Sequence, residues 1–452
     1  MKLPVAMDAH KTLLSFLLIL VVAAFLRLYK LGQLPVGLTW DEAAIGYNGY
    51  GIATVHRDEW LNKMPVSFKS FGDYKAAAAI YLDAVSTKVV GLTPFGIRLP
   101  MALAGIATTM AAFWIGKAIF EKEELGLLTM LLVAISPLNV HFSRIAFESG
   151  IAVAFVAIGM AAILYASKRP WLYIIGALSL SLSLYAYHSS KIAIPLFLLV
   201  LAWVMVKELK KRLLFVGIAV VVFILTLIPL ARDSLYGHAA DRFFMTSQIT
   251  NGKQLKPLNE VATIIGQNYF SHFRLNFLLG GASSTLRHGN GVFGILSYVE
   301  LGLMLIAVFS LFRQGKLKKH WWILAFILIA ILPAAIGDDA PHSNRAHLIV
   351  PWIQVLAVFG FEFLLTHLPK KKQLYAWVVL LVVLAVELCW QVSAYQRVYA
   401  STAATEFQYG YQEAVTYTRS QEGSVHGVLF TNGYGQAYIY ILLFKKLTPI
   451  EY

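Results

Sequence analysis

Long apolar runs dominate the chain. Eleven of them are read as membrane-crossing helices: 12–29, 98–119, 125–140, 150–167, 171–187, 192–206, 213–231, 293–312, 321–336, 348–368 and 374–391. A helix needs about 20 mostly apolar residues to cross the hydrocarbon core. Runs such as LLFVGIAVVVFILTLIPL (213–230) are continuous rather than alternating, which predicts helices and not the strands of a barrel. The segment 125–140 is short and contains Pro137. It is kept as a crossing because every later basic cluster would otherwise change sides. The first run has a basic start but no small-residue cleavage site, and Arg27 and Lys30 follow it, so a retained anchor is expected.

Charge gives the orientation. Lys168, Arg169, Lys207, Lys210 to Arg212, Arg313, Lys316, Lys318, Lys319 and Lys370 to Lys372 fall in one set of short loops, with Lys2 and Lys11 on the same side by parity. The opposite short loops hold only Arg144, Lys191 and Arg345. Positive residues collect on the cytoplasmic side of spans, so the first set is expected inside. Two long segments, 30–97 and 232–292, and the tail 392–452 are then expected outside. The expected organisation is a transmembrane module over 1–391 followed by a short extracytoplasmic tail.

Composition agrees. Apolar residues make up 58% of the 452 positions and charged ones 14%, against about 25% charged in ordinary soluble domains. This excludes a soluble globular enzyme, a disordered chain and a disulfide scaffold. The lone Cys389 forms no internal bridge. The net charge of +14 is accounted for by the cytoplasmic loops, and no nucleic-acid partner is expected.

The candidate chemistry lies in the outer segments. LTWDEAAIGYNGYGIAT (38–54) places Asp41 and Glu42 side by side after the first span. Thr39 or Asp41 could cap a helix starting there; either Asp41 simply caps it, with Glu42 favouring its dipole, or one acid is a general base for an incoming nucleophile. Helical neighbours point about 100° apart, so the two acids are not expected to share one task. Residues 75–90 form an expected interfacial helix with Lys75 at its start, where a cation and free N–H groups would hold an anion. The competing reading is a lysine that snorkels. Arg98 opens the next span and needs a partner.

In SPLNVHFSRIAFESGIA (136–152), His141, Arg144 and Glu148 recur at spacings of three and four and would share one helical stripe. The alternatives there are an Arg144–Glu148 ion pair and a second acid with a cation facing a cavity. The loop GDDAPHSNRAH (337–347) gathers Asp338, Asp339, His342, Arg345 and His347. Its histidines lack a zinc spacing and no H-E-x-x-H occurs, so a divalent metal has weak support and no cofactor is assigned. An arginine–histidine set suits a phosphate better. His272, Arg274, Arg287 and His288 interleave with aromatics over 268–289. No P-loop, dinucleotide fingerprint or serine elbow is present on the inner side.

These residues carry a resemblance. The acidic pair Asp41–Glu42, the stretch GDYK…YL…GLTPFGIRLP, HFSRIAFESG, NYFSHFRLNFLLGG…LRHGNGVFG and the APHSNRAHLIVPW loop together resemble the GT-C membrane glycosyltransferases. The similarity is to the bacterial family 39-like branch, related to protein O-mannosyltransferases and to the lipid A aminoarabinose transferase. It implies an all-α polytopic fold with about eleven spans and interfacial helices in the first outer loop.

It also implies transfer of a sugar from a polyprenyl-phosphate donor in the membrane to a lipid, glycan or protein acceptor on the outer face, by an inverting single displacement. By resemblance Asp41 is the base, Glu42 supports it, Glu148 matches the second acidic position and Lys75 a basic position near the donor phosphate. Arg345, His342 and Arg144 are added as phosphate candidates from charge and placement. KAAAA lacks the proline expected after the lysine. Family members carry a sizeable soluble domain after the last span, whereas only 392–452 follow here, so acceptor choice by such a domain is expected to be absent or the chain to continue. The competing function is a flippase of lipid-linked sugars, which would place ionisable groups at mid-span and treat both sides evenly. A polyprenyl-phosphate sugar and the bilayer are the expected partners.

Overall fold

The computed structural model describes residues 8–252, 254–281, 285–313, 319–431 and 433–452. Lys2, Lys316 and Lys318, counted above among the basic residues of one side, lie outside them. The described chain is almost wholly helical. Its helices are α1 Ala9–Leu28, α2 Trp40–Val55, α3 Ala77–Val90, α4 Pro94–Phe120, α5 Glu123–Ile135, α6 Pro137–Phe142, α7 Ser149–Tyr165, α8 Leu172–Ala186, α9 His188–Val204 and α10 Val206–Lys211. They continue with α11 Leu213–Tyr236, α12 Asp241–Thr246, α13 Leu258–Ser271, α14 Leu275–Leu279, α15 Tyr298–Arg313, α16 Trp321–Ile336, α17 Trp352–His367, α18 Lys370–Ala394, α19 Tyr411–Ser420 and α20 Ala437–Lys445.

Each of the eleven apolar runs is helical. Five helices are long and apolar enough to cross a membrane by themselves: Ala9–Leu28, Pro94–Phe120, Leu213–Tyr236, His347–His367 and Lys370–Thr402. Shorter apolar helices fill in α7, α8, α9 and α16. The outward faces of α1, α11 and α18 expose Leu14, Val21, Leu214, Leu225, Val379 and Val386, as helices against lipid tails do. Between α7 and α8, Gly159 and Gly176 let the backbones approach closely, the device membrane helices use where burial of apolar surface supplies little drive.

Two expected boundaries move. The run 125–140 is not one helix but α5 and α6, broken at Ser136, whose hydroxyl accepts the Asn139 N–H while Pro137 opens the new helix. The run 293–312 becomes helical only at Tyr298. Ser297 and Glu300 bond each other's backbone N–H at 3.0 and 2.9 Å, a capping box that sets the start.

Two arginines close the broken ends. Arg27 of α1 donates to the Ala134 and Val133 carbonyls at the end of α5, at 3.0 and 3.3 Å. Arg144 donates in return to Leu26 O (2.7 Å), Tyr29 O (2.9 Å) and Leu34 O (3.1 Å), around the end of α1. Terminal carbonyls without helical partners need such donors. One hydrophobic core runs through the bundle. A second lies between α2, α3, the start of α4 and α20.

Candidate active site

The site begins with a cap. Thr39 is the N-cap of α2, its hydroxyl accepting the Glu42 N–H at 3.1 Å, and the Glu42 carboxylate accepts the Thr39 N–H at 3.0 Å. Thr39 and Glu42 thus do the capping, and Asp41 is left free of it. Glu42 is fully buried and spoken for. It receives Arg98 Nε at 2.7 Å, an Arg98 terminal nitrogen at 3.2 Å and the Ala146 N–H at 2.9 Å. Arg98 spends its remaining donors on the Leu31, Pro35 and Gly37 carbonyls. The pair knots three segments together, so that any part Glu42 plays is a positioning one, through Arg98 and the start of α2.

Asp41 points elsewhere. Its carboxylate forms an ion pair with the Lys75 ammonium, and its side chain stays one-quarter exposed while that of Lys75 is nearly sealed. Lys75 is not at a helix start. It lies on β2 (Asp73–Ala76), paired antiparallel with β1 (Ser67–Ser70), and α3 begins two residues later. The two-residue turn between the strands has positive φ at both Phe71 and Gly72, the conformation whose twist matches a tight hairpin. The hairpin fixes Lys75 against Asp41, so its ammonium is buried in an ion pair and does not snorkel to the interface.

Glu148, at the start of α7, completes an acidic couple. Burial pushes its carboxyl up from the ordinary value, against the pull of Lys75 and Arg242. Burial also works against ionised Asp41, but there the Lys75 ammonium prevails and holds the carboxyl below the usual range. Two neighbouring acids are thereby driven apart, the pattern that separates acid and base roles.

Arg242 of α12 is the residue the sequence did not single out. It pairs with Asp73 at 2.9 Å and its charge acts on Asp41, Lys75 and Glu148. An arginine beside two phenylalanines reads equally as an interfacial anchor, so no sequence signal distinguished it. Ser67 donates to Asp233 at 2.6 Å and Tyr74 stacks on His238 at 4.3 Å. These contacts dock the 232–246 segment onto the hairpin and carry Arg242 to the site. Beside it is a cavity of about 290 Å³ whose lining includes Tyr187, His188, Lys191, Arg242 and Arg345.

The other candidates divide. Arg345 reaches this cavity but is held by Asp338 through both its side chain and its carbonyl, the local pairing that competed with a phosphate role. His342 is buried, its ring against His288 at 4.2 Å. Burial, then the charges of His288, Arg345 and their neighbours, push it well below the ordinary histidine value. That shift favours the neutral ring, so a phosphate role for His342 would rest on a ring N–H and not on a charge. Arg144 is consumed in capping α1 and does not pair with Glu148. Arg287 stands over the Trp40 ring at 4.4 Å and pairs with Glu406 at 3.2 Å, joining the tail to the residue before Asp41. Among the described residues no group of three or more His, Cys, Asp or Glu is placed to hold a metal ion.

Comparison with known proteins follows the geometry. Residues 17–233 match the profile of the dolichyl-phosphate-mannose-protein mannosyltransferase family. No curated protein sequence matches the chain. Among solved structures, ArnT from Cupriavidus metallidurans bound to undecaprenyl phosphate is similar at a TM-score of 0.60 and 11% identity, covering 98% of this chain and 86% of that one. Its apo state gives 0.58 at 12% identity, covering 97% and 85%. The archaeal oligosaccharyltransferase AglB from Archaeoglobus fulgidus, solved with an inhibitory peptide and a dolichol-phosphate, gives 0.55 at 14% identity, covering 91% of this chain and 58% of that one. The charged cluster of Asp41, Lys75 and Glu148 falls inside the matched 17–233 segment, and the helices around it superpose over nearly the whole chain: this is a membrane protein with the GT-C glycosyltransferase fold.

Proposed function

We propose that the chain transfers a sugar from a polyprenyl-phosphate donor to an acceptor hydroxyl on the outer face of the membrane, with Asp41 as the base. The observation that carries this reading is the Asp41–Lys75 pair beside a cavity lined by Arg242, Arg345 and Lys191. A glycosyl phosphate has a good leaving group, so cations that meet the departing phosphate matter more than a strong acid. The lipid phosphates in the ArnT and AglB structures are of the same chemistry.

The sequence of events follows from the charges. A donor phosphate entering beside Arg242 competes with Asp41 for the Lys75 ammonium. As Lys75 turns to the phosphate, Asp41 loses the cation that held its carboxyl down, and burial raises its basicity. Asp41 then accepts the proton of the acceptor hydroxyl. The acceptor oxygen bonds to the anomeric carbon from the face opposite the phosphate. The carbon–phosphate-oxygen bond breaks with its electron pair going to the phosphate, which Lys75 and Arg242 stabilise, and the configuration inverts. The Glu148 carboxyl, which feels the charges of Lys75 and Arg242, helps to keep both cations at the site. In place of the flippase alternative, this reading uses ionisable groups gathered at one end of the bundle.

Titration with polyprenyl phosphate tests the cationic pocket. A charge-assisted contact is worth roughly 1.5–3 kcal/mol, so Lys75→Ala and Arg242→Ala should each weaken binding about tenfold or more. Arg345→Ala, whose partner is Asp338, should weaken it less. Unchanged affinity in both Lys75→Ala and Arg242→Ala would remove the phosphate from this pocket.

A further inference from the structure

The tail 392–452 is not a loose end. Helix α20 packs on α2 and on α19. The Tyr440 hydroxyl lies 2.8 Å from the Leu38 carbonyl and 3.1 Å from Gln408 Oε1. Gly435, at φ +109°, lies so close to Trp40 that a Cβ there would meet its ring at 2.8 Å. Trp40 is therefore held between the tail and the Arg287 guanidinium, one residue from Asp41.

Beside Gln408 and Tyr411 the tail forms an open cavity of about 400 Å³, within the range of roughly 300–1,000 Å³ typical of small-ligand pockets. It is lined by Tyr409, Tyr411, Phe430, Tyr434, Gln408 and Thr431, among others, and none of its described lining residues is charged. Tyr411 is among the lining residues, while its hydroxyl is buried out of solvent reach. Tyr411 stacks on Tyr440 at 4.4 Å, which fixes its ring.

We propose that this cavity binds a neutral glycan portion of the acceptor and delivers its hydroxyl to Asp41. The inference rests on the transferase reading above and adds the acceptor class. Aromatic faces suit the apolar C–H faces of sugar rings, and amide and hydroxyl groups suit their hydroxyls. A phosphorylated or acidic acceptor would call for cations in the lining, and a lipid chain for a wall without polar atoms. The cavity belongs to the tail, while the cationic cavity that takes the donor is built by α9, α12, the end of α16 and the 337–347 loop. Donor and acceptor thus approach the Trp40–Asp41 corner from separate sides.

Saturation-transfer NMR on the purified full chain tests this with mannotriose, maltotriose and triacetylchitotriose as probes. At least one trisaccharide should bind. Tyr434→Ala and Tyr409→Ala, both at exposed positions where folding is spared, should weaken that binding about tenfold, about 1.4 kcal/mol. Tyr417→Ala, exposed on α19 and outside the lining, should leave it unchanged. Polyprenyl phosphate titrated into the same samples should bind equally in all of them. Binding of none of the three trisaccharides, or binding indifferent to Tyr434 and Tyr409, would overturn the proposal. So would capture of a serine- and threonine-rich peptide in their place. Trisaccharide binding in a wild-type protein that ignores polyprenyl phosphate would support the cavity and remove the transferase reading instead.

Discussion

At the residue scale the adjacent acids Asp41 and Glu42 take opposite fates. The sequence shows two neighbours on a helix that must diverge, and T-W-D-E carries the spacing of a capping box. Which acid remains available depends on Arg98, distant in sequence, and on the Ala146 N–H, and neither contact is written in the local pattern. The consequence is testable. Replacing Glu42 by Ala strands the buried Arg98 charge, and breaking such a pair costs about 3–5 kcal/mol. Thermal unfolding in detergent should show that loss. Asp41→Asn should behave differently. It removes the base, at about 10²–10⁴ in rate, and frees Lys75 from its competitor, so polyprenyl phosphate should bind at least as tightly as before. Weakened phosphate binding in Asp41→Asn would contradict the handover of Lys75.

At the element scale hydropathy gave the helices well and their ends poorly. The break at Ser136–Pro137 and the late start at Tyr298 are both caps, decided by one or two hydrogen bonds that a window of twenty residues averages away. Lys75 was placed at a helix start because residues 75–90 read as one interfacial helix. The pairing of Phe68 with Lys75 across the hairpin prevailed over that local pattern.

The docking of α20 on the first loop carries a pH dependence. Glu59 is buried, with Tyr438 of α20 donating to it at 3.3 Å and Asn48 at 3.4 Å, and burial raises its pKa to about 7. An unfolded glutamate titrates near 4.3. A raised folded value means the contribution is fully present below about pH 4.3 and is lost as pH rises through about 7. Glu59→Gln should flatten the decline of stability between those values, read as melting temperature against pH. An unaltered profile would assign the pH dependence to other groups.

At the scale of the whole molecule, the apolar runs made the membrane bundle legible from sequence. What the runs do not say is which loops meet. Arg242 is carried to the site by long-range contacts, Ser67–Asp233, Tyr74–His238 and its own pair with Asp73, that fasten one long segment to the other. The tail reaches it through contacts that include Trp40, Leu38 and the Arg287–Glu406 pair. From the bias of lysine and arginine to one set of short loops we propose that the tail and the site lie outside. A reporter fused after Tyr452 should therefore be active only in an extracytoplasmic assay, and activity confined to the cytoplasm would invert the topology.

The most direct measurement follows a label. Purified wild-type protein and Asp41→Asn are incubated with radiolabelled polyprenyl-phosphate sugars and a membrane extract. The expected result is label moving from the donor to a new product with the wild type, and remaining on the donor with Asp41→Asn. Label that stays on every donor with the wild type, or moves equally with Asp41→Asn, would contradict the assignment of Asp41 as the base of a glycosyl transfer.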